Sequence, residues 1–134
     1  MSQENVELVR RVFDSINRGD VDASLEEAAD DLEVDWSNSI GPTKGIYRGR
    51  REVLKLWRSF LDAWDSLQWD PEEIIDVDES RVIAVNHVRM RGHGSGVDVD
   101  ARGAQLWTIS DGKARSLKLF QSKAEALEAA GLRE

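Results

Sequence analysis

Two amides and one large aromatic are the residues best suited to holding a carbonyl or hydroxyl group: Asn86, Gln105 and Trp107. Period-two alternation puts Gln105, Trp107 and Ile109 on one face of a β-run, with Leu106, Thr108 and Ser110 on the other. In the preceding run, Val82, Ala84, Asn86, Val88 and Met90 share a face opposite Ile83, Val85, His87, Arg89 and Arg91. An amide donates and accepts hydrogen bonds but has no pKa usable for proton transfer. Leaving one unpaired in an apolar wall costs about 1–3 kcal/mol, so each calls for a protein partner, a trapped water or a ligand. A hydrogen bond between Asn86 and Gln105 across adjacent strands is the structural alternative.

Titratable groups are fewer on this face. His87 alternates with Asn86 and is expected to point outward beside Arg89, and His93 lies in the connection Gly92–Gly96. Simple alternation puts Glu73 with Leu67, Trp69 and Ile75, but Pro71 lacks a ladder donor and can shift the register. Glu73 and His93 are therefore the candidates for a catalytic base. Asp98, Asp100 and Arg102 share an outward face and read as solvated charges. Neither histidine has partners at metal-ligand spacing, so no metal and no other cofactor is expected.

The elements that must position these residues read as helices first and strands afterwards. Val6, Val9, Val12, Phe13 and Ile16 form an apolar stripe on a helix over about 3–18, with Ser2 as cap and Gly19 as stop. Asp20 can cap a short second helix running through Leu25 to Ala29, and a strand with Leu32, Val34 and Trp36 on one side follows. Gly41, Pro42, Gly45 and Gly49 mark a loop. The next helix presents Val53, Leu56, Trp57, Phe60, Leu61 and Trp64 on a wide apolar face. Strands are expected over 67–77, 81–91, 97–110 and 113–121. The last two are joined at Asp111-Gly112, a pair suited to the positive φ angles of a two-residue hairpin turn. Ser122 and Glu125 make a capping box for a final helix ended by Gly131.

Composition narrows the field. The 134 residues suit one domain, 1–134, of α+β class, with helices packed on one face of a curved sheet. Its net charge of −8 opposes binding to nucleic acid, and no apolar run is long enough to cross a membrane. The absence of cysteine removes thiolate nucleophiles and disulfides and agrees with a reducing compartment, so the expected location is cytoplasmic.

Several phrases, in order and spacing, resemble the SnoaL-like branch of the NTF2-like superfamily, which includes polyketide cyclases and ketosteroid isomerases. They are Glu4-Asn5-Val6 with Val9-Arg10-Arg11, Asn17-Arg18-Gly19-Asp20, Tyr47-Arg48-Gly49-Arg50, the run from Trp107 to Lys113, and the run from Glu125 to Leu132. The resemblance implies a half-cone with a conical pocket between helices and a mostly antiparallel sheet, its wall including Val12, Trp36, Trp57, Asn86, Val88, Gln105 and Trp107. It also implies a homodimer through the outer sheet face, where Ile83, Val85, Leu106 and Phe120 stand. Ketosteroid isomerases use an aspartate base and an oxyanion pair of tyrosine and protonated aspartic acid. Those positions fall here on Trp36, Val12 and Gln105, so the isomerase groups are not retained. Trp64 and Trp69 read as core, whereas Trp36, Trp57 and Trp107 are divided between core and pocket wall.

Two functional classes follow. One is a pocket for a small, largely apolar molecule with a polar oxygen; the resemblance implies isomerase, cyclase or dehydratase chemistry next to a carbonyl. The other is a noncatalytic dimeric ligand-binding or protein-interaction module.

Overall fold

The computed structural model describes residues 2–39, 44–94 and 96–132. The expected turn residues Gly41, Pro42 and Ser95, and the side chain of the expected cap Ser2, lie outside the described residues. Ten elements follow in order: α1 (Ser2–Asn17), α2 (Val21–Leu25), β1 (Ala28–Asp35), β2 (Ile46–Arg48), α3 (Arg50–Asp62), β3 (Trp64–Asp76), β4 (Arg81–Gly92), β5 (Asp98–Ser110), β6 (Lys113–Phe120) and α4 (Lys123–Ala129). The six strands form one sheet in the order β2-β1-β6-β5-β4-β3, with β1 and β6 parallel and every other pair antiparallel.

Two sequence expectations shift. The second helix stops at Leu25, because Ala28 and Ala29 open β1 and their side chains are buried against the core. Trp64 leaves the third helix and begins β3, opposite Gly92. β2 is a three-residue edge strand against β1 that period-two patterning is too short to reveal.

The inner layer is built from the two apolar helix stripes. Leu8, Val9, Val12, Phe13 and Ile16 of α1 and Val53, Leu56 and Trp57 of α3 are buried against Val82 and Ala84 of β4, Trp107 and Ile109 of β5, and Ala114 and Leu117 of β6. Hydrophobic burial on this scale is the main force holding helices to sheet. Asn17 fixes the far end of α1: its side chain donates to the Trp69 carbonyl at 3.0 Å and accepts from the Trp69 amide at 2.8 Å. This pair of bonds ties the helix terminus to β3.

Asp111 and Gly112 take φ angles of 54° and 71° in the two-residue turn between β5 and β6, the left-handed geometry that a type I′ hairpin requires. The resulting register sets Gln105 opposite Leu119 and Trp107 opposite Leu117 on the inner face, and across β4 it sets Ala84 opposite Gln105 and Val82 opposite Trp107.

The outer face carries a second apolar cluster, and α4 covers it. Ser122 caps α4 through its hydroxyl oxygen, which accepts from the Glu125 amide at 3.2 Å, while the Glu125 carboxylate accepts from the Gln121 amide at 3.0 Å. The helix seats Ala126, Leu127 and Ala130 on Ile83, Ala104 and Phe120. This corrects the picture of an open outer patch. Ile83 is 0% and Phe120 7% exposed within a single chain, so neither offers surface to a second copy; Val85 and Leu106 are half-buried at the margin of the same cluster. The physical reason is that α4 folds back onto the apolar end of the sheet.

Candidate functional site

Between helices and sheet lies a cavity of about 30 Å³, lined by α1 (Val12, Phe13, Ile16), α2 (Ser24, Leu25), β1 (Ala28, Leu32, Val34), Trp57, Trp69, Gln105, Trp107, Ala114 and Leu117. As it stands, that volume has room for about one or two water molecules. Aromatic rings take up most of the cone. Trp57 lies 5.5 Å from Trp36 and 5.7 Å from Trp69, Trp36 lies 6.2 Å from Trp69, and Phe13 sits 5.9 Å from Trp107 and 6.2 Å from Trp69. Edge-to-face and tilted contacts of this kind add roughly 0.5–1.5 kcal/mol per pair beyond area burial, so the closed state is well held.

The polar atoms of this interior are unusual. The buried Nε1 atoms of Trp36, Trp64, Trp69 and Trp107, the Oδ1 of Asn86 and the Oε1 of Gln105 make no hydrogen bond within the chain, and of these residues Trp36, Trp64 and Asn86 are not in the cavity lining. The expected alternative of a bond between the two amides is not formed through either carbonyl oxygen; Asn86 pairs in register with Gly103 and Pro71, one step along the sheet from Gln105. Trp69, Trp107 and Gln105 all line the cavity, so three of the residues that carry an unpartnered buried polar atom border the same small space. Ser24 is already committed, since its hydroxyl donates to the Val21 carbonyl at 2.6 Å. Among the described residues, none of those lining the cavity is ionisable.

Of the seven wall residues expected from sequence, Val12, Trp57, Gln105 and Trp107 line the cavity. Trp36 packs behind Trp57 and Trp69, Asn86 is buried one register step away, and Val88 is half-buried at the core's edge. Trp69, read from sequence as core, belongs to the buried core cluster and also lines the cavity. The signal that could have placed it there was its inner-face position beside Leu67, together with an indole N–H wanting a partner. Nothing local in the sequence directs Ser24 and Leu25 toward the cavity.

Both candidate bases lie outside. An extra residue in β3 between the pairs Pro71–Asn86 and Glu73–Val85 reverses the alternation, so Ile74 turns inward and Glu73 outward. Glu73 is exposed and receives Lys123 Nζ of α4's first turn at 3.0 Å. His93 is exposed at the end of β4, where its Nδ1 meets Asp65 Oδ1 at 2.5 Å; that hydrogen bond and the charge of Asp65 raise the imidazole pKa above its usual value. His87 lies on the outer face with Nε2 2.6 Å from Asp100 Oδ1. Around it, Arg89 pairs with Asp70 at 2.7 Å, Arg102 with Glu72 at 2.9 Å and Arg91 with Asp98 at 3.1 Å.

Fold and site together define a half-cone protein with a small, uncharged, hydrogen-bonding interior. The model of the SnoaL-like domain matches residues 9–117, and the chain belongs to that family, with an NTF2-like fold. Solved structures with the same architecture include a putative polyketide cyclase from Xanthomonas campestris pv. campestris, 22% identical over 96% of this chain and 97% of that one with a TM-score of 0.76. The epoxide hydrolase/cyclase-like enzyme SalBIII, of pyran ring formation in the polyether salinomycin, is 22% identical over 92% and 95% with a TM-score of 0.77. RV0760c from Mycobacterium tuberculosis, in complex with estradiol-17beta-hemisuccinate, is 14% identical over 90% and 95% with a TM-score of 0.76. At these identities the likeness shows the fold. No curated protein matches the sequence. Among the described residues no helix is long and apolar enough to cross a membrane.

Proposed function

We propose that this chain binds a small, neutral, largely apolar molecule carrying at least one polar oxygen, held in the cavity between helices and sheet. The observation that carries this reading is the cavity lining: mainly apolar and aromatic, with Gln105, Trp69 and Trp107 among its residues, each carrying a buried polar atom that has no partner within the chain. A ligand carbonyl would accept from the indoles and a ligand hydroxyl would donate to Gln105, relieving desolvation costs of about 1–3 kcal/mol for each unpaired group. A charged ligand finds no counter-ion there, and burying one unpaired charge is prohibitive.

Binding rather than turnover is the reading favoured. Isomerisation, cyclisation or dehydration next to a carbonyl needs a base within hydrogen-bond reach, and this wall supplies no ionisable group. The solved structures named above give the reading its chemical direction, since one is in complex with estradiol-17beta-hemisuccinate and another is described as cyclase-like. Because the cavity measures about 30 Å³, a ligand must displace side chains or a wall segment to be seated.

The test is a fluorescence titration of the five tryptophans with 1-naphthol and 2-acetylnaphthalene, repeated on Gln105→Leu and Trp107→Phe. Saturable change in the parent protein, weakened about tenfold or more in Gln105→Leu as expected for a lost buried hydrogen bond, supports the reading. Absence of saturable change with both probes up to their solubility limits would overturn it.

A further inference from the structure

We propose that α2 is a gate over the inner cavity, the segment whose displacement admits a ligand; the inference rests on the binding reading above. Helix α2, together with Ile16 of α1, forms the partition between inside and outside. Ser24 and Leu25 line the inner cavity, while Val21 and Asp22 line an open cleft of about 490 Å³ on one flank. On the other flank, Asp22, Leu25 and Glu26 line a second cleft of about 410 Å³. Moving this single turn of helix would join the cavity to solvent on either side.

Its attachments suit such a part. One end is anchored where the Gly19 and Asp20 amides donate to the Ile16 and Ser15 carbonyls at 2.9 and 2.8 Å. The other is anchored by the Ala114 amide on the Glu27 carbonyl at 2.8 Å and Lys113 Nζ on the Glu26 carbonyl at 2.7 Å. Between these points the hydrogen bonds are internal: Asp20 Oδ1 accepts from the Ala23 amide at 3.1 Å, and Ser24 bonds Val21. Among the described residues, the one polar tie from α2 to another element is the exposed pair Arg58 Nη2–Asp22 Oδ1 at 3.5 Å. Five residues are too few to hold a helix without tertiary support, and a segment held mainly by three apolar or small side chains opens at lower free energy than the whole fold. Gly19, at φ 77° with nothing near an added Cβ, supplies a hinge at the α1 end.

The test uses indole N–H exchange, because Trp69 and Trp107 line the cavity whereas Trp36, whose Nε1 is equally buried, does not. With no native cysteine in the chain, Asp22→Cys/Arg58→Cys can be joined uniquely by a short bismaleimide, and ¹⁵N–¹H spectra then follow each indole in D₂O. The gate is supported if Arg58→Ala speeds Trp69 and Trp107 exchange by about two- to fivefold, the range of an exposed ion pair, and if the cross-link slows it more than tenfold while Trp36 is unchanged. It is overturned if the cross-link leaves the cavity indoles unaffected, or if all three indoles exchange at one common rate set by global unfolding. Stopped-flow binding of 1-naphthol separates the two proposals. Slowed association in the cross-linked protein supports the gate, equal association rates overturn it, and cross-link protection of the indoles with no naphthol binding leaves the gate standing while the binding reading falls.

Discussion

The two faces of the same three long strands carry opposite chemistry. On the inner face of β3, β4 and β5 stand Trp69, Asn86, Gln105 and Trp107, with polar atoms that have no partner and with no ionisable group beside the cavity. On the outer face of the same strands the charges are paired: Arg89 with Asp70, Arg102 with Glu72, Arg91 with Asp98, and His87 with Asp100. Where those pairs give way to Ile83, Ala104 and Phe120, α4 covers the apolar surface. The outer face is thus satisfied within the chain, while the inner face is left with hydrogen-bonding capacity in reserve. Because native proteins pair nearly all their buried polar groups, the exceptions at Trp69, Asn86, Gln105 and Trp107 are what the binding proposal rests on.

This contrast can be broken by substitution. The largest effect is expected from Trp69→Ala, which removes a ring in contact with Phe13, Trp36, Trp57 and Phe60. It should cost about 3–5 kcal/mol in urea unfolding, and a cost under 1 kcal/mol would mean that the aromatic cluster does not hold the cone closed. Next comes Leu127→Ala at the α4 contact, expected to cost about 2–4 kcal/mol; its partial loss of α4 should appear as faster amide exchange at Ile83 and Phe120. Gln105→Leu should go the other way. Replacing an amide whose carbonyl oxygen is buried and unpartnered with an apolar side chain of similar size is expected to stabilise by about 1 kcal/mol, measured as a raised Tm. A clear destabilisation would mean that Gln105 is satisfied in the free protein and would remove the main argument for reserve capacity.

The smallest effect lies on the exposed edge. Asp78, in the β3–β4 turn, accepts from Arg81 and from the Ser80 amide, which lowers its pKa to about 2. Its folded value lies below the ordinary carboxylate value, so its contribution is complete above about pH 4 and fades as pH falls through about 2. Asp78→Asn should therefore flatten the stability-against-pH curve in that window, so that the variant matches the parent below about pH 2 and lacks the Asp78 contribution at neutral pH, as followed by chemical denaturation at several pH values. The same sign logic reverses for His93: the bond to Asp65 raises its pKa, so any stabilisation is present below about pH 6.5 and is lost as pH rises through the raised value.

Much of this was legible along the chain. The inner and outer rows of β4 and β5 follow from alternation alone, because a strand's side chains switch faces at every residue. The two helix stripes follow equally from spacings of three and four. The Asp111-Gly112 turn then set the pairing of β5 with β6. Glu73 was not legible, since Pro71 announced an irregularity without saying where the extra residue would fall; pairing with β4 put it between Pro71 and Glu73 and so turned the carboxylate outward. Trp69 was read as core and is buried in the core cluster; that it also lines the cavity depends on how it meets Phe13, Trp36 and Trp57.

The inner-row positions of Asn86, Gln105 and Trp107 were already written in residue order, because facing requires only local geometry, whereas the outward turn of Glu73 needed the register of β3 on β4. Three matters depended on the folded chain: the closing of the cone to about 30 Å³, the covering of the outer face by α4, and the placement of α2 between cavity and solvent. Each depends on the summed volumes and paths of segments distant in sequence. Packing at interior density responds to every such neighbour at once, and no single stretch of residues carries that information.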